Sequence, residues 1–327
     1  MTIKRIVIAV LNQAPLLLFL VVFTTLGMLS ERFLELQNLT NILIQSSSLA
    51  VAAVGMTFVL LTAGVDLSVG SVMFVAVAVT GKLVFNGYPL SLGIVAGMLV
   101  GAVAGAINGL LVVRLKVAAF IATLAMLFIG RGFGLWLTNT RAMNMPDAVT
   151  QLGSSRLLLI PVPVLVMLCV AVAAQLFLSK TPWGRQVYAI GFSQESASKA
   201  GVQVQAIMLL VFVICGCCAS LAGVIALTQT GSVSPSFGSQ REFAAIAAAV
   251  LGGTSLFGGR GTVLPGTIFG AVLFQTVENG LVILNADPYL YPMIVSTIIF
   301  LAVLLDTTRN QLIQRLTRRT IQSVQNS

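Results

Sequence analysis

Few side chains in this 327-residue sequence have the chemistry of acids, bases, nucleophiles or metal ligands. There are nine acidic residues and no histidine, which excludes a histidine-based zinc or haem site. Asp66 has no evident partner base or nucleophile nearby in the sequence, and the chain offers no convincing catalytic constellation, so an enzyme is not indicated. The cysteines lie inside apolar runs, where thiols pack like small apolar side chains: Cys169, Cys215, Cys217 and Cys218.

The stretch TAGVDLSVGS, residues 62–71, places an acid and two hydroxyl residues between two apolar runs. The simplest interpretation is helix capping, because the side-chain oxygens of Asp66 and Ser68 can accept the free N–H groups of the following helix. The alternative is a hinge or gate formed by Asp66, Ser68 and Gly70.

Two ionisable residues lie within apolar segments, where a charge is costly and suggests a function. Arg131 and Glu278 each stand near the end of such a segment that we expect to face outward. We predict that they approach each other and shape the outer mouth of the protein. Interfacial snorkelling or an ordinary structural pair is the alternative.

The polar stretch YAIGFSQESASKAGV, residues 188–202, is unusual in so apolar a chain. Thr181 and Pro182 are typical of a helix start, and we expect Gly191 to end that helix. Ser193 then caps a second short helix, which Gly201 ends. Glu195 and Lys199 are four residues apart on this second helix. Because these starts and stops are so definite, a docking surface is favoured over a plain loop.

The composition indicates an integral membrane protein. Only 8% of the residues are charged, against about 25% in a soluble domain, and the mean hydropathy is +1.02. The net charge of +9 does not indicate nucleic-acid binding, because the basic residues are spread between apolar segments. We therefore predict an all-α membrane protein forming a single transmembrane domain over residues 1–327.

About ten segments are apolar and long enough to span a bilayer. The eighth is short, so it is either tilted or re-entrant, and the sequence leaves this open. The segments are 8–29, 41–62, 67–85, 90–113, 117–138, 160–179, 204–228, 242–256, 262–284 and 289–305.

The distribution of basic residues predicts that both termini are cytoplasmic. With the N-terminus inside, the basic tail at 306–327 lies along the inner leaflet and segment 181–202 faces the cytoplasm. The inner side then holds Lys4, Arg5, Arg114, Lys116, Lys180, Arg185, Lys199, Arg260, Arg309, Arg315, Arg318 and Arg319. The outer side holds fewer: Arg32, Lys82, Arg131, Arg141, Arg156 and Arg241.

Glycine spacing predicts close helix packing. One helix face carries a glycine at every fourth position: Gly93, Gly97, Gly101, Gly105 and Gly109. A face that slides between transporter states is the alternative interpretation. The glycine-rich run at residues 251–271 predicts a tight turn between two membrane segments, and it lacks the phosphate-loop pattern.

Four passages resemble the membrane permease subunits of bacterial ATP-driven sugar importers, of the ribose, galactose and xylose permease type. They are VGMTFVLLTAGVDLSVGS, KVAAFIATLAMLFIGRG, GRQVYAIGFSQESASKAGV and IAAAVLGGTSLFGGRGTVLPGTIFGA. The resemblance covers residues 40–305, and the first and third passages are specific in combination. One departure is at Ala244, where the family often has an aspartate two residues after the acid that Glu242 matches.

The resemblance implies a fold of about ten helices and a dimer of permease subunits around a central path. It implies a cytoplasmic ATPase, which holds the ATP and Mg²⁺, and a periplasmic sugar-binding protein, with no cofactor on this chain. The family's coupling helix, which docks on the ATPase, corresponds to Ser193, Gln194, Glu195, Ala197, Lys199 and Gly201. Glu195, Ala197 and Gly201 match the family motif, whereas Ser196 and Lys199 replace its more usual residues.

We therefore predict an inner-membrane, multi-pass permease that moves a monosaccharide inward by alternating access and is not itself an enzyme. A path for sugar needs hydrogen-bonding groups, for which the candidates are Gln45, Ser46, Ser47, Ser48, Asn108 and Thr123. The alternatives are the same architecture carrying nucleosides or branched-chain amino acids, or an ion-coupled secondary transporter. The sequence names neither the sugar nor whether the two permease subunits are identical.

Overall fold

The computed structural model describes residues 14–291 and seven later residues, namely 293, 294, 296, 297, 300, 301 and 304. The predicted basic tail at 306–327 lies outside the described residues, as do Lys4 and Arg5. The last predicted span, 289–305, is described only in part.

The described part of the chain is mostly helical, as predicted. Its α-helices are α1 Ala14–Leu29, α2 Leu36–Leu61, α3 Val69–Phe85, α4 Leu90–Val113, α5 Ala119–Thr138, α6 Asp147–Ser154, α7 Val162–Lys180, α8 Pro182–Phe192, α9 Gln194–Lys199, α10 Val204–Thr230, α11 Arg241–Leu251 and α12 Ile268–Ile283. Shorter helical turns are Glu31–Leu34, Val263–Thr267 and Pro288–Leu290. Two strand pairs of two residues each complete it: Met143–Asn144 with Ser232–Val233, and Arg156–Leu157 with Ile160–Pro161.

Helices long and apolar enough to cross a membrane confirm the membrane character of the chain. Six occur in the described part: Leu36–Leu61, Leu90–Val113, Ala119–Thr138, Val162–Lys180, Val204–Thr230 and Val263–Ile283. Helix α3 is apolar but shorter. Helix α11 has only 11 residues, because Gly252 and Gly253 follow it and Gly253 has a φ of +91°. The predicted short segment 242–256 is therefore a helix only as far as Leu251.

The chain divides into two compact units. The first combines the residues up to Leu39 with those from Thr276 onward. Within it, the side chains of Asn38 and Asn279 exchange two hydrogen bonds of 3.1 and 3.0 Å. The second unit is Thr40–Gln275. Within it, helix α4 packs most extensively on α10 and next on α3.

The glycine face of α4 is a packing surface. An added Cβ at Gly93 would lie 3.1 Å from the Thr80 carbonyl oxygen of α3. At Gly101 and Gly105 it would overlap backbone carbonyl groups of Gly216 and Phe212 on α10. The helix backbones therefore approach closely along this face, as the four-residue spacing predicts.

Replacing one glycine of this face tests how much stability the close approach provides. We expect Gly105→Ala to lower the Tm of the purified protein in detergent, because overpacking costs about 1–3 kcal/mol. The matched control is Gly132→Ala on α5, where an added Cβ meets nothing within 4 Å. The control is expected to leave the Tm unchanged or raise it slightly, since alanine favours helix. An equal Tm for both variants would contradict the packing role.

Candidate functional site

The segment at 181–202 forms two short helices with capped starts. The Thr181 hydroxyl oxygen accepts a hydrogen bond from the Gly184 N–H at 3.0 Å, and Pro182 is the first residue of α8. The Ser193 hydroxyl oxygen accepts the Ser196 N–H at 3.1 Å at the start of α9. These observations confirm the predicted caps.

The predicted end of α8 at Gly191 is wrong. The helix continues to Phe192, and Ser193 both ends it and caps α9. Glycine is required at position 191 for space, because an added Cβ would overlap the carbonyl oxygen of Leu61 and the amide nitrogen of Gly259. The residue type that predicts a helix end here marks a close contact instead.

Helix α9 presents a polar face that carries no net charge. Glu195 and Lys199 form a salt bridge of 2.7 Å, and about four-fifths of each side chain is exposed. Ala197 is the buried residue of the helix, and its carbonyl oxygen accepts the Val202 N–H at 3.0 Å. Gly201, which follows the helix, has a φ of +84°, as the predicted left-handed termination requires. Gln194 contacts the Met208 sulfur of α10.

A glycine turn at residues 258–261 joins the segment 181–202 to the end of α2. The Gly259 N–H donates to the Leu61 carbonyl oxygen at 2.9 Å, beside Gly191. The Tyr188 hydroxyl donates to the Gly261 carbonyl oxygen at 2.9 Å. Burial raises the pKa of the Tyr188 hydroxyl, so the group stays protonated and remains a donor. Three backbone segments that are distant in sequence therefore meet at one junction.

The break between α2 and α3 holds a buried carboxylate. Asp66 is 1% exposed, and its Oδ1 accepts hydrogen bonds from the Ser68 N–H and hydroxyl at 2.9 and 2.6 Å. Ser68 occupies the cap position of α3, but its side chain makes no capping hydrogen bond. The predicted cap is therefore wrong in form: Asp66 fixes the turn that precedes the helix rather than the N–H groups of its first turn.

Two of the predicted path residues lie beside this break. Asn108 of α4 donates to the Ser68 hydroxyl oxygen at 2.8 Å, and Thr123 of α5 donates to the Val65 carbonyl oxygen at 3.3 Å. The side-chain oxygen Oδ1 of Asn108 is buried and has no hydrogen-bond partner among the described residues. The break thus links α3, α4 and α5 through hydrogen bonds.

The other path candidates lie on α2. Ser46, Ser47 and Ser48 are buried, and their hydroxyls donate to backbone carbonyl groups, that of Ser48 to Ala222 on α10 at 2.8 Å. Gln45 is exposed and accepts a hydrogen bond of 3.2 Å from Gln275. The lining of a path by these residues stays a prediction.

Arg131 lies in a cluster that the sequence does not reveal. Its guanidinium donates to the Phe237 carbonyl oxygen and stands 5.2 Å from the centroid of the Phe74 ring. Glu242 is 5% exposed and packs against Gly70, and it forms no ion pair with Arg131 within the described residues. The sequence singles out Glu242 only by its match to the family motif and does not relate it to Arg131. Glu278 belongs to the other unit, so its pairing with Arg131 stays a prediction.

Comparison with known proteins assigns this chain to one family. A family model described as the permease component of branched-chain amino acid transport systems matches residues 38–304. The ribose import permease protein of Escherichia coli is 38% identical over 91% of this chain and 94% of its own length. No solved structure matches the chain.

Further relatives agree with this assignment. The ribose import permease protein of Bacillus subtilis is 36% identical over 90% of this chain and 92% of its own length. The D-allose transport system permease protein of Escherichia coli is 36% identical over 88% of each chain. The resemblance noted in the sequence is thereby confirmed, and the chain belongs to the family of transport-system permease components.

Proposed function

We propose that this chain is the membrane-spanning subunit of an ATP-driven importer that carries a monosaccharide across the bacterial inner membrane. Residues 1–327 then form one permease domain with about ten crossings and both termini in the cytoplasm. The observation that carries the proposal is the capped two-helix segment at 181–202, which is joined by backbone contacts to α2 and to the glycine turn. An isolated surface loop would need no such attachment.

Movement of the docked segment is transmitted through that junction. ATP and Mg²⁺ act on a separate cytoplasmic ATPase, which pushes or pulls α9. Because α8 lies against Leu61 and Gly259 without an intervening side chain, its displacement must move the end of α2. The residues that follow Leu61 lead directly to the buried hydrogen bonds of Asp66, the candidate hinge. A periplasmic binding protein and a second permease subunit complete the importer and allow alternating access.

A neutral sugar fits the polar groups of the described helices. By their names, the relatives reported above are permease proteins of ribose import and of a D-allose transport system, and a further relative is a permease protein of an autoinducer 2 import system. The candidate path residues offer hydroxyl and amide groups, which suit a polyol. The second candidate cargo is a branched-chain amino acid, which the description of the family model names. An amino acid would require charged groups along the path to match its own charges.

The first measurement is uptake of labelled ribose, allose, leucine and adenosine into cells that carry the complete transporter gene cluster. We expect one sugar to accumulate and Glu195→Lys and Gly201→Pro to abolish its uptake. Proline cannot adopt the φ of +84° found at Gly201, and Glu195→Lys replaces the ion pair with two like charges.

The charge-matched control is Glu35→Lys, an exposed position outside the segment, which we expect to transport normally. All variants are checked for their amount in the membrane. Uptake that survives both substitutions, or that persists without the ATPase, would favour an ion-coupled secondary transporter. Accumulation of leucine instead of a sugar would correct the cargo alone.

The junction predicts variants that separate ATP hydrolysis from transport. We expect Tyr188→Phe to lower sugar uptake per ATP, at most about fivefold, because one partly buried hydrogen bond is worth about 1 kcal/mol or less. Gly191→Ala is expected to have a larger effect, since its Cβ overlaps Leu61. The control is Tyr88→Phe, at an exposed tyrosine. The measurement is the ratio of transport to ATP hydrolysis in proteoliposomes, and wild-type ratios for both variants would refute transmission through this junction.

A further inference from the structure

Two cavities flank the segment 181–202, and each is lined by one basic residue. The first, of about 560 Å³, lies between the end of α4 and the start of α10, where Arg114 and Ser198 both line it. The second, of about 440 Å³, is lined by Lys116 and Gln194, and it extends to the Thr62–Gly64 turn after α2. Each cavity is therefore lined by one residue of α9 and by one basic residue of the turn Arg114–Lys116, which we call the basic turn. The basic turn is distant from α9 in sequence.

The basic turn carries positive charge that the protein does not neutralise. Neither Arg114 nor Lys116 makes an ion pair or a side-chain hydrogen bond within the described residues, and both are exposed. Leu115 between them is 68% exposed. Lys116 adopts a left-handed φ of +55°, which turns the chain after α4, and the Val117 N–H donates back to the Leu111 carbonyl oxygen at 3.2 Å. Helix α9 itself is neutral, since Glu195 pairs with Lys199.

We propose that the Arg114–Lys116 turn and its two cavities extend the docking surface of α9 and bind acidic side chains of the cytoplasmic ATPase subunit. This inference rests on the proposed function and names the chemistry of the partner. Two features carry it: the cavities are shared with residues of the coupling segment, and their unneutralised charge is positive. Aspartate or glutamate side chains that enter the cavities would pair with Arg114 and Lys116, while Leu115 provides an apolar contact between them.

The position of the two cations at a helix end gives them a second role. Arg114 follows the last residue of α4, where a positive charge is favourable beside the exposed carbonyl groups. That effect stabilises α4 but predicts no dependence of ATPase binding on these residues. Anionic lipid headgroups are the competing ligand at a membrane surface, so the lipid must be controlled in the test.

The test is the affinity of the purified cognate ATPase subunit for the full-length permease in nanodiscs of zwitterionic lipid. We expect the double variant Arg114→Glu, Lys116→Glu to raise the Kd about tenfold or more at low salt. The difference should shrink at high salt, where the charges are screened. The milder variant Arg114→Gln, Lys116→Gln should show a smaller loss, and the Tm of each variant is measured to verify folding.

The matched control carries the same change in net charge at two other exposed arginines, Arg141→Glu and Arg156→Glu. We expect it to bind the ATPase like the wild type. Equal affinity of wild type and both Arg114 and Lys116 variants in zwitterionic lipid would overturn the proposal, and a loss confined to anionic nanodiscs would assign the cavities to lipid instead. Failure of the wild type to bind the ATPase at all would reject the proposed function itself, which separates the two outcomes.

Discussion

Contacts between backbones, which glycine alone permits, are the constraint on which the rest of this structure depends. At the junction of α8, α2 and the glycine turn, Gly191 lies against the hydrogen bond between the Gly259 N–H and the Leu61 carbonyl oxygen. Flexible side chains between these segments would absorb a small displacement by changing rotamers. Backbones in direct contact cannot, because packed interiors transmit strain rather than deform. The junction is therefore stiff.

A stiff junction at Leu61 can pass on a displacement only if the chain beyond it can change its conformation, and the break between α2 and α3 lies there. The chain leaves Leu61 and reaches Asp66 within a few residues, where a buried carboxylate holds Ser68, which in turn holds Asn108 of α4. Breaking such a buried network leaves polar groups without partners, so intermediate arrangements are costly. In the proposed importer, such a network suits a hinge between two access states, which requires two discrete arrangements.

Local features were predictable from the sequence, whereas contacts between distant segments were not. The caps at Thr181 and Ser193 depend only on neighbours within three residues, and the spacing of Gly93 to Gly109 follows from helix geometry. The role of Gly191 depends on Leu61 and Gly259, far away in sequence, so the local pattern suggested a helix end. The same limit explains Arg131: the Phe237 carbonyl group and the Phe74 ring that it contacts are neighbours only in the folded chain, and no local pattern relates them to it.

The distribution of charge around α9 bears on how a partner can bind and still follow a cycle of movement. An exposed salt bridge such as Glu195–Lys199 contributes about 0–1 kcal/mol to stability, so its main effect is to leave the helix face neutral. In the proposed importer, attraction between α9 and the ATPase then depends on shape. The same proposal assigns the charge that would direct and strengthen docking to Arg114 and Lys116, which are exposed, so that salt would screen it. The neutral helix would then transmit the movement, while the separate basic turn would retain the partner.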